Sequence, residues 1–160
     1  MEVGGDLYNV VLVLHLLAAI IGFGGMFIAG FYGNESRNLP GREGLAVAET
    51  TLKVTSLIPT MAVYTVPVLG ILLIFMSDDT WQFSQAWISL SFLLYFALII
   101  LAVTVQVPTI RKMVAMRAGT EGAQSLEMQA MGKKVAMVGG IVNVLWVLTL
   151  VLMVFKPGYP

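Results

Sequence analysis

His15 is the only histidine in the chain, and it sits in the apolar stretch "LHLLAAIIGFGGMF" (Leu14–Phe27). An ionisable side chain inside a long apolar run is a functional-site hypothesis by default. A neutral imidazole nitrogen ligates haem iron or copper, and the ring also relays protons. A plainer role is to hydrogen-bond a neighbouring helix and fix its register, worth about 0.6 kcal/mol on average between membrane helices. Counted at about 1.5 Å per residue, Tyr64, Tyr95, Asn143 and Trp146 fall near the level of His15. The five form one candidate cluster for binding haem b or copper, with His15 as the ligand.

Ten methionines add thioethers, which suit Cu(I). Met76 and Met153 lie near the ends of apolar segments on the His15 side and are secondary metal candidates. The others read as fillers of apolar gaps. No catalytic residue is assigned: there is no HExxH, no Ser/His/Asp set and no phosphate-cradling glycine loop. No acidic residue lies within an apolar segment, which argues against an ion-coupled transporter working through a carboxylate. The chain has no cysteine, so disulfides and thiolate metal sites are excluded. The formal net charge is zero and no basic stripe appears, so no nucleic-acid partner is implied.

The elements that must position these groups follow from composition. The chain is 58% apolar and 11% charged with mean hydropathy +0.89, whereas soluble domains carry about 25% charged residues. Four apolar segments, 7–32, 56–76, 85–108 and 135–155, are each long enough to cross a bilayer, which takes a helix of about 20 residues. They lack the alternation of barrel strands, so they are predicted to be helices. The first is not read as a secretory signal, because Glu2 and Asp6 stand where a basic leader would be.

Eight of the nine basic residues fall in the 34–55 and 109–134 connections; only Lys156 lies on the other side. Basic loops stay cytoplasmic. The expectation is an all-α membrane protein: one domain, 1–160, folded as a four-helix antiparallel transmembrane bundle. Both termini and the "SDDTWQFS" turn (Ser77–Ser84) face outward from the plasma membrane. Residues 45–54 and 123–135 extend helices 2 and 4 into the cytoplasm. Residues 33–44 and 117–122, rich in turn formers, are predicted loops. Their glutamates are expected to pair with nearby bases, at under about 1 kcal/mol per exposed pair.

Small residues follow His15 on one helical face: Ala18, Gly22, Gly25 and Ala29. The last helix has a comparable face through Ala136, Gly139, Asn143 and Trp146, with Gly140 beside it. Small side chains let helices approach closely in lipid, so Gly22, Gly25, Gly139 and Gly140 are predicted packing positions. Pro59 and Pro67 lack an N–H and should free carbonyls of the second helix, for which Thr60 and Thr65 are the expected donors.

Several motifs occur in a fixed order: the His15 helix, a proline-containing second helix, the acidic turn with Trp81, "VPTIRKM" (Val107–Met113) and "LVLMVFKPG" (Leu150–Gly158). Together they resemble a bacterial family of predicted integral membrane proteins of unknown function, related to CopD-like copper-resistance and HemJ-like membrane proteins. The resemblance implies that His15 matches a first-helix histidine used by haem- and copper-handling members. The second haem histidine of HemJ-like proteins has no counterpart here, so haem held by two histidines would have to be shared between copies. The expected function is a non-catalytic accessory or assembly subunit of a respiratory or metal-handling complex. Its partners would be the bilayer and other membrane subunits or a second copy. A haem- or copper-binding protein using His15 is the alternative, and a small transporter the third reading.

Overall fold

The computed structural model describes residues 3–39, 41–119 and 126–158, and among these there is no strand. The elements are α1 (Asp6–Asn38), α2 (Gly41–Phe75), α3 (Ala86–Leu101), a π-helical turn (Ala102–Gln106), α4 (Val107–Gly119) and α5 (Leu126–Phe155). Through the π turn, α3 and α4 make one continuous rod. The turn has a local cause. Pro108 has no N–H to offer the Thr104 carbonyl, and the ladder slips one residue just before it, with the Val107 N–H bonding the Ala102 carbonyl.

Among the described residues, three helices are long and apolar enough to cross a membrane: Asp6–Asn38, Ala86–Gly119 and Leu126–Phe155. The described apolar part of α2 is shorter, Thr60–Phe75. At most 28% of any of the three spans is buried within the chain. Most of their apolar surface is left for lipid hydrocarbon to cover.

The rods pack as two antiparallel hairpins. In the first, Tyr8 and Val11 of α1 meet Leu73 and Met76 of the α2 end, and Gly22 lies against Val63. In the second, Lys112 of α4 pairs with Glu127 of α5 at 2.8 Å, and Gln106 faces Gly139. Both hairpins turn at the end that carries the basic residues, the basic end. The link between them, from Met76 to Gln85, lies at the opposite, aromatic end. All four rods contribute to the core, which includes Ala18, Phe23, Val63, Val66, Tyr95, Leu98, Val138 and Val142.

The predicted 33–44 loop is mostly helix. α1 continues to Asn38 and α2 begins at Gly41, so turn formers such as Gly33, Asn34 and Ser36 sit inside α1. Local bonds absorb their polar groups: Ser36 donates to the Gly33 carbonyl at 3.0 Å, and Arg37 donates to Asn34 Oδ1 at 3.0 Å. Arg117–Gly119 of the second predicted loop are also helical. Glu2 and residues 120–125 lie outside the described residues.

Candidate functional site

His15 stands at the α1–α2 contact. Its Nδ1 lies 3.0 Å from the Val66 carbonyl oxygen. A carbonyl only accepts, so Nδ1 carries the proton and donates, which leaves Nε2 of a neutral ring with its lone pair. Space for the ring comes from Gly70, where a Cβ would stand 3.4 Å from His15 Cε1. Among the described residues Nε2 has no hydrogen-bond partner.

The other residues of the predicted cluster have different neighbours. The Tyr95 hydroxyl donates to the Val63 carbonyl. That oxygen lies four residues before Pro67, which has no N–H to give it. The donor is therefore on α3 and not Thr60 or Thr65; Thr65 bonds its own Met61 carbonyl at 2.9 Å. The side chain of Pro59 lies outside the described residues. Trp146 stacks on Phe23 at 5.0 Å between centroids, and Phe23 meets Tyr95 edge-on at 6.0 Å. Tyr64 is half exposed and, with Asn143, borders open space. No hydrogen bond joins His15 to these four residues among those described.

Met76 is buried with Tyr8, Val11 and Leu73, while Met153 is half-buried on α5. At Gly22 a Cβ would lie 3.0 Å from Val63 Cγ2 and 3.2 Å from the Val63 nitrogen. At Gly139 it would lie 3.4 Å from Gln106 Nε2, and at Gly140 it would meet nothing within 4 Å. Gly25 is half-buried.

The open space is a cleft of about 640 Å³ between the hairpins in their basic half. Arg37, Arg111 and Arg117 border it, Tyr64, Gln106 and Asn143 line it deeper, and among the described residues no Asp or Glu does. Oε1 of Gln106 is buried with no hydrogen-bond partner. Arg117 spans the mouth: its guanidinium donates to the Ser36 and Leu39 carbonyls at the end of α1. Gly44 must be glycine there, because a Cβ would run into that guanidinium and both carbonyls. Sequence reasoning missed Gln106 and Arg117 as site residues. The available signal was a polar Gln two residues before a mid-helix proline, at the end where the arginines collect.

Residues 9–157 match the family described as predicted integral membrane protein, DUF2269. The chain belongs to this family. The match covers His15, the cleft and its arginines. No match emerges among curated proteins or among solved structures.

For this DUF2269 protein the solvent around the helices is therefore a lipid bilayer, which bears on what His15 could bind. Haem needs a flat cavity against the ligating nitrogen, and the cleft is not lined by His15. Copper needs companion donors, and no group of three His, Cys, Asp or Glu that could hold a metal occurs among the described residues.

Proposed function

We propose that this DUF2269 member is a non-catalytic accessory or assembly subunit of a respiratory or metal-handling complex in the plasma membrane. One observation carries the reading: four polar side chains within the apolar helices bond to the chain's own backbone. His15 takes the Val66 carbonyl, Tyr95 that of Val63, Ser91 that of Trp87 and Thr149 that of Leu145. The His15 and Tyr95 bonds cross between helices and hold them in register, the Ser91 and Thr149 bonds lie within one helix, and the four do not converge on a reacting atom. Outside, the helices are apolar, and Gly24 in mid-α1 meets nothing within 4 Å, a position where another subunit's helix could approach closely.

In this reading the chain is one domain, 1–160, spanning four times as an antiparallel bundle with both termini outside. The charge distribution supports it, since eight of nine basic residues lie toward the end where both hairpins turn. α2 supports the fourth span by running alongside α1 from Val63 to Met76. Reporter fusions after Phe155 and at Asp79 should report the outside, and fusions at Arg37 and Gly119 the cytoplasm. Native purification from its own membrane should yield a colourless preparation with stoichiometric membrane partners. A chain purified alone would overturn the accessory role.

The alternative is haem or copper binding at His15, and the geometry that favours it is the unpartnered Nε2. Metal-bound histidines commonly donate their other ring N–H to a carbonyl, as His15 does to Val66. The missing donors would come from a second copy or a partner, and the relation to CopD-like and HemJ-like proteins belongs with this reading. A small transporter comes third, favoured only by the cleft.

A further inference from the structure

We propose that the cleft at the basic end is a binding site for one anionic phospholipid, its phosphate held by arginine and its chain lying between the hairpins. The inference rests on membrane insertion and on the cleft, not on the accessory role.

Charge complementarity selects the head. Three arginines border the cleft, and among the described residues no carboxylate does. Two of them already have bonds: Arg117 to the α1 carbonyls, Arg37 to Asn34. Arg111 is exposed and makes no hydrogen bond or ion pair with any described residue. Its five donors in a planar fork suit a phosphate better than any other anion available in a bilayer. Basic pockets between transmembrane helices are where anionic headgroups bind.

The interior selects the tail. The volume of about 640 Å³ lies in the range of specific ligand pockets, roughly 300–1,000 Å³. Gly30 and Gly140 leave their walls open, with nothing within 4 Å of a Cβ at either. Bulk water is a poor occupant, because the lining is largely apolar between its polar ends. An anionic peptide is also disfavoured, since its backbone would bring unpaired N–H and C=O groups into hydrocarbon. Gln106 lies five residues before Arg111, about 7.5 Å deeper at helical rise. There the amides of Gln106 and Asn143 would meet the ester region of a lipid whose phosphate sits on Arg111. Those esters accept hydrogen bonds.

The test uses the full chain in vesicles and in detergent. Lipid retained through purification from mixed vesicles of phosphatidylglycerol and phosphatidylcholine is identified by mass spectrometry. Wild type should retain phosphatidylglycerol, about one molecule per chain, and added phosphatidylglycerol should raise its thermal midpoint while phosphatidylcholine does not. Inorganic phosphate alone should not stabilise it; stabilisation by phosphate equal to that by lipid would place a free anion in the site and overturn the proposal. Arg111→Gln should weaken phosphatidylglycerol binding about tenfold, the loss of one charge-assisted contact. Gly140→Leu, at a cleft-lining position where a Cβ meets nothing within 4 Å, should remove retained lipid while the midpoint in lipid-free detergent is unchanged. Equal retention of the two lipids by wild type, or retention unaffected by both substitutions, would refute the site. Purification from its own membrane without partner subunits, but with lipid retained, would refute the accessory role alone.

Discussion

The two ends of the protein close in opposite ways although the same rods run through both. At the aromatic end, bulky groups from four segments meet. Trp81 donates its indole N–H to the Tyr8 hydroxyl at 2.9 Å and meets Trp87 edge-on at 5.4 Å. Lys156 Nζ sits 4.2 Å from the Trp81 ring centre. Ser77, fully buried, accepts the Trp81 backbone N–H at 2.9 Å and donates to Ile74 at 2.7 Å. This is also where the chain joins the two hairpins. At the basic end each hairpin turns back on itself and no described backbone joins them. Glycines and alanines line the gap, and Arg117 reaches across it to α1. Side-chain volume and chain connection, not helix pattern, decide which half is sealed.

The largest expected effect lies in the closed α1–α2 contact. Gly22→Leu must place a side chain where a methyl alone would lie 3.2 Å from the backbone nitrogen of Val63. Backbone cannot step aside as a side-chain tip can, so the cost should be about 3 kcal/mol, the upper part of the usual overpacking range, read as a lowered thermal midpoint in detergent. Gly24→Leu, two residues on but with nothing within 4 Å, should leave the midpoint unchanged. Similar losses at both positions would mean that α1 meets α2 through another face.

Next is Tyr95→Phe, which leaves the Val63 carbonyl without a donor inside the core. A buried acceptor stripped of its partner costs about 1–3 kcal/mol. Pro67→Ala would return an N–H to that oxygen, so the tyrosine should matter less in the Pro67→Ala background. A double-mutant cycle measures the difference. Strict additivity would show that Tyr95 does not answer for the proline.

These two cases mark how far the sequence could be read. Helical periods, apolar lengths and the basic end are local or compositional properties, and they were legible. The freed carbonyl was legible too, because a proline announces it. Its donor was not, since Tyr95 is 32 residues from Val63 and reaches it only across a packed interface. Depth along the helices put His15, Tyr64, Tyr95, Asn143 and Trp146 near one level. Rotation about each axis then sends Tyr64 and Asn143 to the cleft, Tyr95 and Trp146 to the core, and His15 to the α2 backbone. The 33–44 stretch reads as a loop from its Gly, Asn and Ser content; α1 persists there because Ser36, Arg37 and Arg117 satisfy groups that a loop would expose to water. The cleft depends on how two hairpins diverge, which no single segment encodes.

A smaller effect should distinguish the open end from the sealed one. Arg117→Gln removes a cation from the C-terminus of α1, a contribution of about 1 kcal/mol at the top of its usual range. The global midpoint should fall slightly. Amide hydrogen exchange should rise in residues 34–39 and 41–46, and not at Trp81 or Trp87. Faster exchange at both ends would mean that the arginine stabilises the whole protein and is not a local clasp.

The smallest effect is expected at His15, and the reason lies in the residue four positions after its acceptor. Val63 faces Pro67 and depends on Tyr95. Val66 faces Gly70, whose backbone N–H is available to the same carbonyl within α2. The His15 bond is therefore an addition to a carbonyl with its own helical donor, not the rescue of an orphan. Asn at position 15 is too short to keep the bond, yet it strands no buried acceptor. His15→Asn should cost about 0.6 kcal/mol, typical of a polar contact between membrane helices, and leave the visible spectrum of the natively purified protein unchanged. Gly70→Ala, which brings a methyl to 3.4 Å from the ring, should be similarly mild. The cofactor alternative makes the opposite forecast: a Soret band or stoichiometric copper in the wild type, lost in His15→Asn together with far more stability than one hydrogen bond supplies. That result would move the centre of the molecule's function from its open end to the one imidazole in its apolar wall.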